Sequence, residues 1–244
     1  MLSVCDNCGR LPLHWAAAGA ERLDEELLPK DSDKEGGTAL LYVVALHAAS
    51  DSTHVEYIVQ FLCENGADAS LPDHTGQTVL HKLALLTMYN DPINTAVIDL
   101  LIAHGLDIHH ADKNGATALH TMVGNLRQRQ AAKYLLDLGA DATAKDSKGG
   151  TPLHGVMRRC VLFPRMIRGV PREDVTLADR IAAQDEVIGA MQEAGDSGIM
   201  DQPNTAGKAP PELLEETRAR LRADEERRRR LLVGRGRSYL VNQR

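Results

Sequence analysis

An all-α repeat solenoid, made of stacked helix-turn-helix units joined by β-hairpin-like fingers, is the fold class predicted by three features of the sequence. A nine-residue pattern recurs as Asp73 to His81 (D-H-T-G-Q-T-V-L-H), Asp112 to His120 (D-K-N-G-A-T-A-L-H) and Asp146 to His154 (D-S-K-G-G-T-P-L-H). The glycine closing one helical pair and the Thr opening the next are twelve residues apart each time, at Gly66 and Thr78, Gly105 and Thr117, and Gly139 and Thr151. Finally, 43% hydrophobic residues include only two Phe and one Trp, which suits thin layers of Leu, Ala, Val and Ile better than one large centre.

Each position of the pattern has a physical reading. In the Asp-x-x-Gly turn, Gly76, Gly115 and Gly149 supply a positive φ that a Cβ would penalise, so a tight bend is expected. Thr78, Thr117 and Thr151 follow as N-caps, and Pro152 suits the first helical position, where no N–H is needed. His81, His120 and His154 stand three residues after each Thr, one turn on, where the ring reaches loop backbone. These histidines read as structural latches rather than metal ligands or catalytic bases.

In chain order, Asp6 to Trp15 matches the pattern with Leu11 at the Thr position, and a helix over Glu21 to Leu28 ends before Pro29. The second unit opens at Thr38 as a weaker copy, with Leu41 where the latch His is expected and Tyr42 next to it. Its second helix, Val55 to Glu64, closes on Gly66-Ala67-Asp68, and the following units close on Gly105-Leu106-Asp107 and Gly139-Ala140-Asp141, glycine being the expected residue after a helix end. From each Thr to the next closing glycine the interval is 28, 27, 22 and 44 residues, so the variation lies inside the helical pairs. The longest interval holds an insert over 158–176, where Pro164, Gly169 and Pro171 prevent one continuous helix. Its five arginines, Arg165 and Arg168 among them, are mixed with apolar residues, as in a loop folded over the stack or a partner-contact loop.

The T-P-L-H of Thr151 to His154, the D-x-x-G turns and L-L-D-L-G-A-D at Leu135 to Asp141 resemble ankyrin repeats. The resemblance implies units near 6–33, 34–72, 73–111, 112–145 and 146–200, with a degenerate cap from 201 completing a stack over 1–210. It also implies a concave face of fingers and first helices that binds macromolecules without a catalytic constellation.

Beyond the stack, Asn204 to Leu213 reads as a decayed turn, and Leu213, Leu214, Thr217 and Leu221 form a helical stripe that would cover the exposed end. Residues 211–244 are a C-terminal helix and Arg-rich tail. Pro211 to Arg244 holds ten Arg against six Asp or Glu, a local plus 4, so the rest of a chain of net charge minus 6 carries minus 10. An acidic body argues against nucleic-acid binding by the stack and for a basic or mixed-charge protein partner.

Four cysteines give no disulfide framework and point to an intracellular location, and Cys5 and Cys8 with His14 fall short of a zinc ligand set. No apolar run is long enough to span a membrane, and motifs for hydrolase, nucleotide-binding or metalloprotease chemistry are missing. No metal or cofactor is expected. The functional expectation is a non-catalytic protein-interaction module, monomeric or part of a larger assembly, using finger residues Asp73, His74, His109, Asp112, Lys113, Asn114, Asp146 and Lys148, with Arg165 and Arg168 from the insert. His109 and His110 form an adjacent pair read as a polar finger contact. The alternative is an intramolecular regulator whose basic tail masks the acidic face, with nucleic-acid contact through that tail as a lesser reading.

Overall fold

The computed structural model describes residues 38, 40–41, 44, 52–64, 67–86, 92–159, 162, 166–167, 170–171, 175–195 and 198–241. The first unit, Cys5, Cys8 and His14, the Tyr42 position, and Arg165 and Arg168 lie outside the described residues. Helices α1 (Ser52–Glu64), α2 (Val79–Leu86), α3 (Thr95–Ala103), α4 (Ala118–Met122), α5 (Arg129–Asp137), α6 (Pro152–Arg158), α7 (Leu177–Ala194) and α8 (Pro210–Val241) follow in order, with a 3₁₀ turn at Leu126–Gln128 before α5. Two two-residue strands, Met166–Ile167 and Val170–Pro171, pair antiparallel within the insert, a small exception to an otherwise helical fold.

The helices stack in two rows. In the first row α2 packs on α4, α4 on α6 and α6 on α8; in the second, α1 packs on α3 and α5 on α7. The sequence dictates this through two columns of buried aliphatic side chains. Leu40, Leu80, Leu119 and Leu153, each two residues after its Thr, are all essentially inaccessible. Leu62, Leu101, Leu135 and Met191, each four residues before the closing glycine, are inaccessible as well. Neither column closes a core within one unit, so neighbouring units supply each other's apolar cover.

The helix ends also repeat. The N–H after each closing glycine bonds back five residues, Ala67 to the Leu62 carbonyl at 2.9 Å, Leu106 to Leu101 at 3.0 Å and Ala140 to Leu135 at 2.9 Å. This is the Schellman arrangement, made accessible by the positive φ of Gly105 and Gly139. The fifth unit ends differently: Gly195 has φ −95, and an ideal Cβ there would meet Ile199 Cδ1 at 2.7 Å and the Met191 carbonyl oxygen at 2.9 Å. The side chain of Ile199 can shift, but the backbone carbonyl cannot readily do so, and this close approach favours glycine there.

Helix α8 begins as the sequence stripe suggests, with Leu213 and Thr217 buried and Leu214 and Leu221 packed against the core. It contacts α6 and α7 and is tied to α7 by the Arg218–Asp185 ion pair. The helix then continues to Val241 through the Arg-rich segment, where Glu225 with Arg229 and Glu226 with Arg230 form i,i+4 pairs that favour helix over an unstructured tail.

Candidate functional site

The fingers carry the most regular geometry in the chain. In each, one side-chain oxygen gathers two backbone N–H groups. Asp73 Oδ1 accepts from Thr75 at 2.8 Å and Gln77 at 3.0 Å; Asp112 Oδ1 from Asn114 at 2.8 Å and Ala116 at 3.0 Å; Asp146 Oδ1 from Lys148 and Gly150, both at 2.8 Å. Asn204 Oδ1 repeats the motif with Ala206 at 2.9 Å and Lys208 at 3.1 Å, and Gly207 takes φ +73, so the decayed turn keeps the finger geometry with an amide in place of a carboxylate. Successive fingers are joined by the N–H of Lys113 to the Thr75 carbonyl at 3.0 Å, Ser147 to Asn114 at 2.7 Å and Thr205 to Lys148 at 3.0 Å.

Beneath each finger sits the latch. The Thr N–H donates to the His Nδ1 at 3.2 Å for Thr78 and His81, and at 3.0 Å for Thr117 with His120 and Thr151 with His154. An Nδ1 that accepts carries no proton, so the ring is the neutral Nε2–H tautomer. That Nε2–H then donates to the next finger, His81 to the Ala116 carbonyl at 3.0 Å and His120 to Gly150 at 3.1 Å. Burial lowers the pKa of all three rings, only partly opposed by the neighbouring carbonyls. In His154 the Nε2 is buried without a hydrogen bond, the carbonyls of Lys208 and Gln202 lying near but out of bonding geometry. In the weaker second unit, Thr38 Oγ1 still accepts from the Leu41 N–H at 3.4 Å, but Leu41 has no ring to reach the next finger.

This geometry sorts the finger residues expected to meet a partner. Asp73 is committed internally: burial raises its pKa, but hydrogen bonds from Lys82, Thr75 and Gln77 outweigh that and hold it at about 2, with Lys82 Nζ at 2.6 Å. Asp112 and Asp146 are likewise occupied by their own turns. His110 is part-buried, its Nε2 3.1 Å from the Gly76 carbonyl and its ring edge-on to His81 at 6.3 Å, so this half of the histidine pair braces the stack rather than meeting a partner. His74, His109, Lys113, Asn114 and Lys148 are exposed.

Between the fingers and the first row of helices lies a depression of about 420 Å³. Asn114, Ser147, Lys148 and Asn204 line it from the fingers; Thr121 from α4, with Arg158 and Arg159 at the end of α6, line it from the helices. Leu85 at its edge is 40% exposed, and the buried Leu213 contributes from α8. Sequence reasoning grouped Arg158 and Arg159 with the insert and did not select Leu85 or Thr121. The available signal was their place on the first-helix row of the repeat.

Comparison with known proteins follows the same boundaries. The family profile of the ankyrin repeat matches residues 114–147, a span from one fingertip through the helical pair of α4 and α5 to the next fingertip. The fold is an ankyrin-repeat solenoid. It is 35% identical over 144 residues to the palmitoyltransferase AKR1 of Lachancea kluyveri, an alignment covering 58% of this chain and 19% of that protein. To the Drosophila melanogaster Neurogenic locus Notch protein it is 41% identical over 69 residues, 28% of this chain and 2% of Notch. An ankyrin repeat protein of fowlpox virus, FPV230, is 26% identical over 171 residues, covering 59% of this chain and 90% of the viral protein. This ankyrin-repeat chain therefore spans only small parts of the first two relatives, and what is similar is the repeat. Ankyrin repeats are a non-catalytic fold that generally mediates protein–protein interaction. Among the described residues, no helix is long and apolar enough to cross a membrane, and no group of three His, Cys, Asp or Glu side chains is placed to hold a metal ion.

Proposed function

We propose that the chain is a protein-binding module or scaffold that receives a partner on the face made by its fingers and first-row helices. The observation that carries this reading is the depression between the fingers and α4 and α6, bordered by exposed polar and charged side chains on a hydrogen-bonded frame. A frame of this kind presents its contact groups with little ordering left to do on binding. Lys113, Asn114 and Lys148 project from fingertips whose own turn bonds are already satisfied, which leaves these side chains available to a ligand.

The reading treats the likeness to the palmitoyltransferase as confined to its repeats, with no transfer of catalysis to this chain. The tail-masking alternative receives less support, because the packed part of α8 lies against α6 and α7 and its outer arginines Arg229 and Arg230 pair with glutamates of the same helix.

The test is affinity capture with the intact chain beside Lys113→Ala with Asn114→Ala. The fingertip variant is expected to lose a bound protein that the parent retains, at an unchanged thermal midpoint. Equal capture by both chains would reject this face.

A further inference from the structure

We infer that the depression receives an acidic peptide segment, one that carries a leucine-sized apolar side chain beside at least two carboxylates. The inference rests on the partner-binding reading above and specifies the partner's chemistry. The chain as a whole has a net charge of minus 6, and that average favours a basic partner. The side chains at the depression have the opposite balance.

Among the described residues, Asp146 is the one acidic side chain lining it, and its Oδ1 is occupied by the N–H groups of Lys148 and Gly150. Against it stand Lys148, Arg158 and Arg159, all exposed, and none has an acidic partner among the described residues. Several cations of the neighbouring helices, by contrast, are paired: Arg129 and Lys133 with Glu186, Lys208 with Glu216, and Arg218 with Asp185. Lys148, Arg158 and Arg159 converge on one depression.

Arg159 is also partly positioned. An ideal Cβ on Gly124 would stand 3.4 Å from Arg159 Cδ, so the arginine stem lies in the space that the absent side chain leaves. An arginine whose stem is already packed loses less rotamer freedom on engaging a carboxylate. Leu85, 40% exposed at the edge, supplies an accessible apolar contact beside the charged groups.

The same cations favour a peptide over a nucleic acid. A duplex carries a phosphate charge about every 1.7 Å and rewards a long basic track, whereas this is a short cluster beside a carboxylate. Among the described residues, no Phe, Tyr or Trp lines the depression to stack on bases, and its two histidine rings are engaged in the latches.

The test selects a phage-displayed random peptide library on the full chain, with an RNA oligonucleotide titrated in parallel. The recovered peptides are expected to be rich in Asp and Glu around a Leu and to weaken as salt is raised. Affinity should fall roughly tenfold or more in Arg158→Glu with Arg159→Glu, and also in Lys148→Glu, each checked for an unchanged thermal midpoint. Neutral or basic peptides that still require Lys113 and Asn114 would overturn the acidic ligand while leaving the binding face standing. Peptides indifferent to every one of these substitutions would overturn both. Failure to recover any peptide, or RNA binding abolished by the arginine reversals in its place, would also refute the inference.

Discussion

His120 joins two repeat units through one ring: its Nδ1 accepts the backbone N–H of Thr117 at 3.0 Å while its Nε2 lies 3.1 Å from the carbonyl of Gly150 on the next finger. The two contacts fix the tautomer and couple a helix start to the position of its neighbour. Thr117 itself is buried, with its hydroxyl 2.9 Å from the same Nδ1. Thr117→Val keeps the shape and removes that hydroxyl, and is expected to destabilise the chain by about 1 kcal/mol in denaturant unfolding. No change in stability would mean that the hydroxyl is not part of the latch.

The same geometry sets a pH dependence. Protonating Nδ1 places an N–H against the Thr N–H, so the folded state favours the neutral ring, and burial lowers the pKa of His81, His120 and His154 from the ordinary 6.5. A group whose folded pKa is depressed contributes stability that is fully present above the unfolded value. That contribution is lost as pH falls from 6.5 through the lower folded values. Thermal midpoints measured between about pH 8 and about pH 5 should therefore decline toward acid. His120→Gln, which offers an acceptor and a donor without titrating, should flatten part of the decline. Asp73, held at about 2 against an ordinary 3.8, adds its own loss only at much lower pH.

Two glycines separate backbone conformation from finger packing. Gly139 has φ +88 and open space where a Cβ would stand, so Gly139→Ala should cost only the left-handed conformation, about 1 kcal/mol. Gly76 has φ +81, and its ideal Cβ would stand 2.8 Å from the Lys113 backbone nitrogen. Gly76→Ala should therefore cost roughly 3 kcal/mol or more, because the next finger must move as well. Equal losses in urea unfolding would contradict the close packing of fingers.

The start of α8 is read as the cap that closes the stack. Leu213 is 5% exposed, and Thr217 Oγ1 donates to the Arg158 carbonyl at 3.3 Å. Leu213→Ala should destabilise by about 2–4 kcal/mol and open α6 and α7 to limited proteolysis. If cleavage stayed confined to the outer part of α8, that part of the account would fail.

Much of this frame was legible in the sequence because each finger is specified locally. The Asp-x-x-Gly turn, the Thr cap and the His three residues on all act within nine residues, so reading Asp112 to His120 was enough to place them. The Asn204 turn was legible for the same reason, even with Asn for Asp. What was hidden depends on neighbouring units. Asp73, Asp112 and Asp146 read as fingertip contacts, and what the sequence hid is that Oδ1 of each already accepts two N–H groups of its own turn, with Asp73 also held by Lys82. His110 read as an exposed partner of His109, although Gly76 and His81 of the preceding unit hold it. Arg158 and Arg159 face the depression because the fingers of two units stand opposite α6, an alignment that no local window contains.

The central claim is that partners bind at the fingers and first-row helices, and hydrogen–deuterium exchange on the captured complex tests it most directly. Protection is expected at 112–121 and 146–159, with α3 and α5 on the other row exchanging as in the free chain. Protection of α3 and α5 with unchanged fingers would contradict the account.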